Sequence, residues 1–310
     1  MSTKKNNKIN NNRAYEITFL ISHYYRENFL YSLLDDILKL SIKNYQILVL
    51  DNSKTLINHN QYKNFFNNEN INIILLEENL GCIESRIFLS TLPQVRDSWC
   101  FFLDDDINFR NIKISSLLLN EILKIKFKFD HIRTFKVIKP NGKQRKEEVI
   151  SKSKKVKITS NFLGGASLFS PNLAAKLYSK LNMRGYGFEE YLLSYFAYES
   201  NTKIIYDPRL SLIHHKAPYI DKKNKVSKIR RATGWEMALR KSDICLKILP
   251  IPFNLIGFFL WKIIQFRRWI KEPASSGLIE NVYLHKQGSK YKRLGFFIYL
   301  KYLKNGGRIF

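Results

Sequence analysis

The sequence has no glycine-rich phosphate loop. Neither GxGxxG nor GxxxxGK[ST] follows its first apolar run, which argues against a dinucleotide oxidoreductase and a P-loop NTPase. Its three cysteines, Cys82, Cys100 and Cys245, are too scattered for a CxxC pair. An odd cysteine count, with no apolar h-region behind the basic N-terminus, predicts reduced thiols, a cytosolic compartment and no export. Acidic residues are scarce: 26 Asp and Glu stand against 52 Lys and Arg, a formal charge of +26. A long apolar segment is missing too. The run Ile248–Trp261 falls short of the ~20 residues that a spanning helix needs and holds two prolines. Core-forming residues are not scarce, at 45% hydrophobic and 14% aromatic, so only residues 1–13, rich in Lys and Asn, read as a disordered tail.

The positive excess is uneven. Residues 221–310 hold 20 Lys and Arg against 5 Asp and Glu, a net of +15; the first 220 hold 32 against 21, a net of +11. Nucleic acid, an anionic membrane and phosphorylated substrates all suit such a charge. Its concentration at the C-terminal end marks an added surface rather than a property of the whole fold.

Along the chain, Tyr15–Ser22, Tyr45–Leu50, Ile71–Leu76 and Trp99–Leu103 are short runs of β-formers. Helical spacing occupies Phe29–Leu40, about Asn58–Asn67 and Gly81–Leu92 between them, then Ser115–Lys126, Pro171–Leu181 and a helix opened by Gly185–Glu190. Lys203–Tyr206 and Leu210–His214 are strand-like. Strands alternating with helices predict βαβ units in an α/β fold with a mainly parallel sheet. Ligands in such sheets bind beyond the carboxyl ends of the strands. Ser22-His23-Tyr24, Asp51-Asn52-Ser53 and Asp104-Asp105-Asp106 are therefore expected to meet at one crevice.

Three groups could carry chemistry. Asp104, Asp105 and Asp106 repel one another unless a cation compensates, and their oxygens suit Mg²⁺ or Mn²⁺ bridging to diphosphate; the bland alternative is a solvated acidic loop. Glu189 and Glu190 stand at a helix start, where the dipole favours them regardless of function, or where one could act as a general base. His214 and His215 end a strand, and one of them could complete a metal site.

Taken in order, VLDNS (Val49–Ser53), ENLGCIESR (Glu78–Arg86), FLDDD (Phe102–Asp106), LGGASLFS (Leu163–Ser170), GYGFEEYLLSY (Gly185–Tyr195) and IIYDPRLSLIHH (Ile204–His215), after a first strand with a polar loop, resemble the family 2 glycosyltransferases. The likeness spans roughly residues 15–216. It implies a GT-A fold: a Rossmann-like, mainly parallel sheet flanked by helices, with a nucleotide-sugar half at about 14–110 and an acceptor half at about 111–220. It implies that His23, Tyr25, Asp51, Asn79, Gly81, Arg86, Asp104 and Asp105 bind the nucleotide sugar. Asp106, Asp104 and His214 would hold Mg²⁺ or Mn²⁺, and Gly165, Ala166 and Phe188 would line the acceptor side. Glu190 falls where the family keeps its catalytic base, normally Asp, with Glu189 helping to hold the acceptor or orient the loop. The chain departs from the family at Glu190, at Leu192 where a further acid is common, and at His23–Arg26. The reaction implied is an inverting transfer from a UDP-, dTDP- or GDP-type sugar to a glycan or lipid-linked acceptor in surface polysaccharide synthesis.

Residues 221–310 form a basic, aromatic and helical extension. Ile248–Trp261 and Tyr291–Tyr302, bounded by Lys and Arg, fit helices lying in a membrane interface, packed on the catalytic domain or a dimer partner, or spanning. The expected place is the cytoplasmic face of the membrane, peripheral to it, on an anionic surface. The competing enzyme class is a Mg²⁺-dependent nucleotidyltransferase, which usually carries the missing glycine loop. The competing non-enzyme is a nucleic-acid-binding protein; nucleic acid is not the expected partner, because acids lining a cleft repel phosphate.

Overall fold

The computed structural model describes residues 15–53, 65, 67–76, 79–125, 129–145, 148–181, 189–216, 242, 245–271 and 296–305. The expected N-terminal tail, most of the helix expected near Asn58, the opening at Gly185 and the candidate Phe188 lie outside them.

The first four strands, β1 (Ile17–His23), β2 (Tyr45–Asp51), β3 (Ile71–Leu75) and β4 (Trp99–Asp104), are parallel in the order β3-β2-β1-β4. Helices α1 (Glu27–Leu38) and α2 (Gly81–Thr91) make the β1–β2 and β3–β4 crossovers. Both sheet faces are covered, so the strands are continuous apolar runs rather than alternating ones. Leu20, Leu48 and Phe102 point to one side with Ile83 and Leu89 of α2, while Phe19, Ile47 and Phe101 point to the other with Leu30 and Leu34 of α1.

Beyond β4 the sheet is mixed. It continues through β8 (Ala166–Phe169), β6 (His131–Ile138), β9 (Lys203–His214) and β5 (Ile107–Phe109), with β7 (Lys157–Thr159) also on β9. Between these run α3 (Ile112–Lys124), α4 (Leu173–Tyr178) and α5 (Glu189–Glu199). Asn111 starts α3 by accepting the Ile114 N–H at 3.0 Å, three residues before the expected start. The two strand pieces expected around Pro208 are one strand. Its pairing with β6 jumps from Asp207 to Ser211, because proline has no N–H for the ladder and residues 208–210 bulge out.

The C-terminal helices α6 (Phe253–Lys271) and α7 (Phe296–Lys304) extend this core instead of building another. Tyr299 and Tyr302 are fully buried in one cluster with Tyr195 and Tyr198 of α5. The Tyr195 hydroxyl donates to the Ile248 carbonyl at 2.7 Å, and Ser160 donates to the Tyr302 carbonyl at 2.6 Å. Among the described residues, no helix is long and apolar enough to cross a membrane.

Candidate active site

The strand order changes direction at β1, which pairs with β2 on one side and β4 on the other. The carboxyl ends of these strands form the switch point where α/β sheets bind ligands. Asn52 holds this edge together. Its amide donates to Ser22 Oγ at 3.1 Å, and its Oδ1 accepts from Leu80 N and Ser85 Oγ, both at 3.1 Å. Asp51 is buried and accepts from the backbone N–H and hydroxyl of Ser53 at 2.8 and 2.6 Å. Asn79 accepts from Gly81 N at 2.8 Å, and Gly81, at φ +81, takes the left-handed backbone that opens α2. Tyr25 is left-handed as well, at φ 51, and its ring meets Tyr24 edge-on.

The three aspartates are not equivalent. Asp104 keeps 34% of its side chain in solvent, whereas Asp105 and Asp106 are fully buried. Asp105 Oδ2 accepts from Tyr24 N at 3.1 Å and lies 3.0 Å from His23 Nδ1, itself fully buried; its other oxygen pairs with Arg26. His23 and Asp105, expected on the nucleotide, are thus directed at each other and at the loop backbone. Asp106 Oδ2 lies 2.6 Å from Arg26 Nη1, and Asp106 Oδ1 lies 3.3 Å from His214 Nε2.

The histidine pair divides. His214 faces the acids, and its Nδ1 lies 2.9 Å from Glu148 Oε1. His215 turns to Asn108 Oδ1 at 3.0 Å and packs on Phe29. One ligand atom each from Asp104, Asp106 and His214 can lie within 4.8 Å of one another, the spacing of a shared cation. Burial opposes a charge on His214, but hydrogen bonds to Asp106 and Glu148 outweigh it and raise the imidazole to about 9. Burial likewise pushes Glu148 up, yet His214 and Arg145 hold it below the usual carboxylate range.

Arg86 and the Gly164-Gly165 turn bring the other side of the site against Asp104. Arg86 Nη2 lies 2.7 Å from Asp104 Oδ1, and Nη1 lies 2.5 Å from Glu189 Oε1. Burial works against the Arg86 charge, while Cys82, Asp104 and Glu189 more than restore it. Burial pushes Glu189 up to about 8, Glu190 adds to the rise, and Arg86 only partly offsets it. A Cβ on Gly165 would collide with the Asp104 carboxylate; one on Gly164 would collide with Arg86 Nη1 and lie 2.9 Å from Glu190 Oε1. Gly164 therefore sits between Arg86 and Glu190, and Gly165, which accepts the Asp104 N–H at 3.2 Å, packs on the aspartate. Ala166 is buried beside Leu103 at the start of β8.

Sequence reasoning missed Arg26, Arg145 and Glu148. Arg145 Nη1 donates to both Glu148 Oε1 at 3.1 Å and the His214 carbonyl at 3.2 Å. Nothing in a lysine-rich segment 66 to 69 positions before His214 signals these roles. Arg26 was legible only as an unusual cation after β1.

No curated protein matches the chain. Residues 18–146, less than half of the 310, match the profile of Glycosyl transferase family 2. That stretch ends before Gly164, Glu190 and His214, whose placement comes from the fold. Among solved structures, S. aureus TarS 1-349 in complex with UDP-GlcNAc is similar at 14% identity and a TM-score of 0.55, covering 89% of this chain and 78% of that one. GalNAc-T7 with UDP, GalNAc and Mn²⁺ is similar at 12% identity and a TM-score of 0.53, covering 86% of this chain and 52% of that one. The fold is the mixed α/β GT-A arrangement of these structures, and residues 18–146, which hold its nucleotide-side strands, carry the glycosyltransferase profile match.

Proposed function

We propose that the protein moves a glycosyl group from a nucleoside-diphosphate sugar to an acceptor hydroxyl in one metal-assisted displacement that inverts the anomeric centre. The observation that carries this reading is the meeting of Asp104, Asp106 and His214 at one point with Arg86 and Glu190 beside it. Two carboxylates and an imidazole fit a divalent cation, and the nitrogen donor inclines the set to Mn²⁺ over Mg²⁺. The GalNAc-T7 structure, similar in fold, holds Mn²⁺. A bound ion would neutralise charge on the departing diphosphate.

The chain's own groups divide the remaining work. Arg86 keeps a permanent cation beside Asp104, at the switch point where the diphosphate would lie. Glu190 takes the acceptor proton as the oxygen attacks the anomeric carbon, and the bond to the diphosphate breaks with its electron pair leaving on the phosphate oxygen. Glu189, bound to Arg86, fixes the guanidinium and the start of α5. Asp51 and Asn79, at the ends of β2 and in the loop before α2, border the nucleotide. The donor is of UDP, dTDP or GDP type. The acceptor is a glycan or lipid-linked hydroxyl of surface polysaccharide synthesis at the cytoplasmic membrane face, a reading supported by the basic C-terminal helices packed behind α5.

The test is transfer from UDP-, GDP- and dTDP-sugars with and without Mn²⁺. One donor should turn over, and Glu190→Gln should lower kcat about 10²–10⁴-fold with KM little changed. If Asp106→Ala and Glu190→Gln transferred like the unmodified protein, the reading would be wrong.

A further inference from the structure

We propose that the outward face of α6, continued by α7, docks on an anionic lipid surface. The inward face of α6 is held to the body: Asn254 is 3% exposed, and a Cβ on Gly257 would sit 3.0 Å from Cys245 and 3.1 Å from Leu249. The outward face carries Leu255, Ile256, Phe259, Leu260 and Ile263, between 46% and 60% exposed. Their spacing of one, three and four places them in a single stripe. On α7, Phe297 is 83% exposed while Tyr299 and Tyr302 of the same helix are fully buried. Both helices therefore bury one side and hold bulky apolar groups in water on another, an arrangement that marks a contact surface rather than scattered exposure.

Charge selects the occupant. Residues 245–271 and 296–305 contain seven Lys or Arg and no Asp or Glu. Lys247, Arg267 and Lys304 among them are exposed. A second copy docking through these helices would set like charges such as Lys247, Arg267 and Lys304 against one another, whereas anionic headgroups complement them. Neither helix is long and apolar enough to span. The geometry is that of a helix lying in the interface, its apolar stripe in the acyl boundary and its cations at the headgroups.

The platform is braced on α5. The Tyr195 hydroxyl bonds the Ile248 carbonyl, and the Tyr198 ring meets Tyr302 edge-on at 5.2 Å between centroids. The inference stands on α6 and α7 alone and not on the transfer chemistry.

The test is co-sedimentation of the full chain with phosphatidylcholine vesicles, with and without phosphatidylglycerol. Binding should require phosphatidylglycerol and weaken as NaCl is raised. The double variant Phe259→Ser/Ile263→Ser should bind at least about tenfold more weakly, and Lys247→Gln/Arg267→Gln should lose the preference for anionic vesicles. Both variants should keep the parent's unfolding temperature, because these side chains are exposed. The proposal is overturned by a parent protein that ignores anionic vesicles, or by a Phe259/Ile263 variant that binds like the parent. It is equally overturned if light scattering shows a dimer that those two substitutions dissociate, which would make a second copy the occupant.

Discussion

Arg86 Nη1 lies 2.5 Å from Glu189 Oε1, joining the middle of α2 to the start of α5 across 103 positions of sequence, with side chains 6% and 2% exposed. Withdrawing two charges from water is costly, and their attraction offsets the cost only while both are present. Above pH ~8, where Glu189 is ionised, Arg86→Met strands Asp104 and Glu189 and is expected to lose about 3–5 kcal/mol in urea unfolding. Adding Glu189→Leu should recover part of that loss, with a coupling of about 1 kcal/mol or more. Additive effects would show that the two groups do not depend on each other.

Mn²⁺ affinity should depend on a residue that is not itself a proposed ligand. Glu148 orients His214 through Nδ1 and leaves Nε2 toward Asp106. Such partners commonly contribute 10–100-fold in metal affinity. Glu148→Ala is expected to weaken Mn²⁺ binding by about that factor, and Glu148→Gln, which keeps a hydrogen bond, by less. His215→Ala should leave it nearly unchanged, since His215 faces Asn108. Free Mn²⁺ measured by electron paramagnetic resonance separates these outcomes without any assay of turnover.

Gly165→Ala and Gly142→Ala make a matched pair. Gly165 has the Asp104 carboxylate where a methyl would go, whereas Gly142 has open space and φ +79. Gly142→Ala should therefore cost about 1–2 kcal/mol for its backbone alone and leave Mn²⁺ binding intact. Gly165→Ala must displace Asp104, at about 1–3 kcal/mol of overpacking, and weaken Mn²⁺ binding too.

Acid sensitivity should trace in part to His131. It is fully buried with Trp99 and Phe129 against its ring, and burial lowers it to about 4 despite the Phe129 carbonyl. The unfolded chain takes up this proton near the ordinary value of about 6.5, and the folded chain only near 4. Stability is thus unaffected above pH ~6.5, falls as pH drops from there to about 4, and levels off below. The span corresponds to about 3 kcal/mol at most. A His131→Phe variant should show a shallower decline over that window in urea titrations.

Much of the fold was legible because local physics repeats. Buried parallel strands are uninterrupted apolar runs, and β1 to β4 each fall within a residue or two of the expected place. Helix ends were less so: α3 starts at Ile112 because Asn111 caps it, and α4 is only Leu173–Tyr178. The bulge at 208–210 was hidden because a proline between two strand-like pieces signals a break as readily as a bulge.

By itself the sequence determined the α/β class, the acid triplet at a strand's end and the separation of a basic C-terminal part from the acids, since periodicity and composition act over a few residues. Only the tertiary structure decided which aspartate stays open to solvent, which histidine faces it, and that Arg26, Arg86 and Glu148 are the groups around them. Those pairings join residues from 18 to 103 positions apart, and burial sets both their partners and their charge. The C-terminal helices show the same division. Their apolar and basic composition is sequence; that Tyr299 turns inward while Phe297 and Phe259 stay outside is settled by packing against α5.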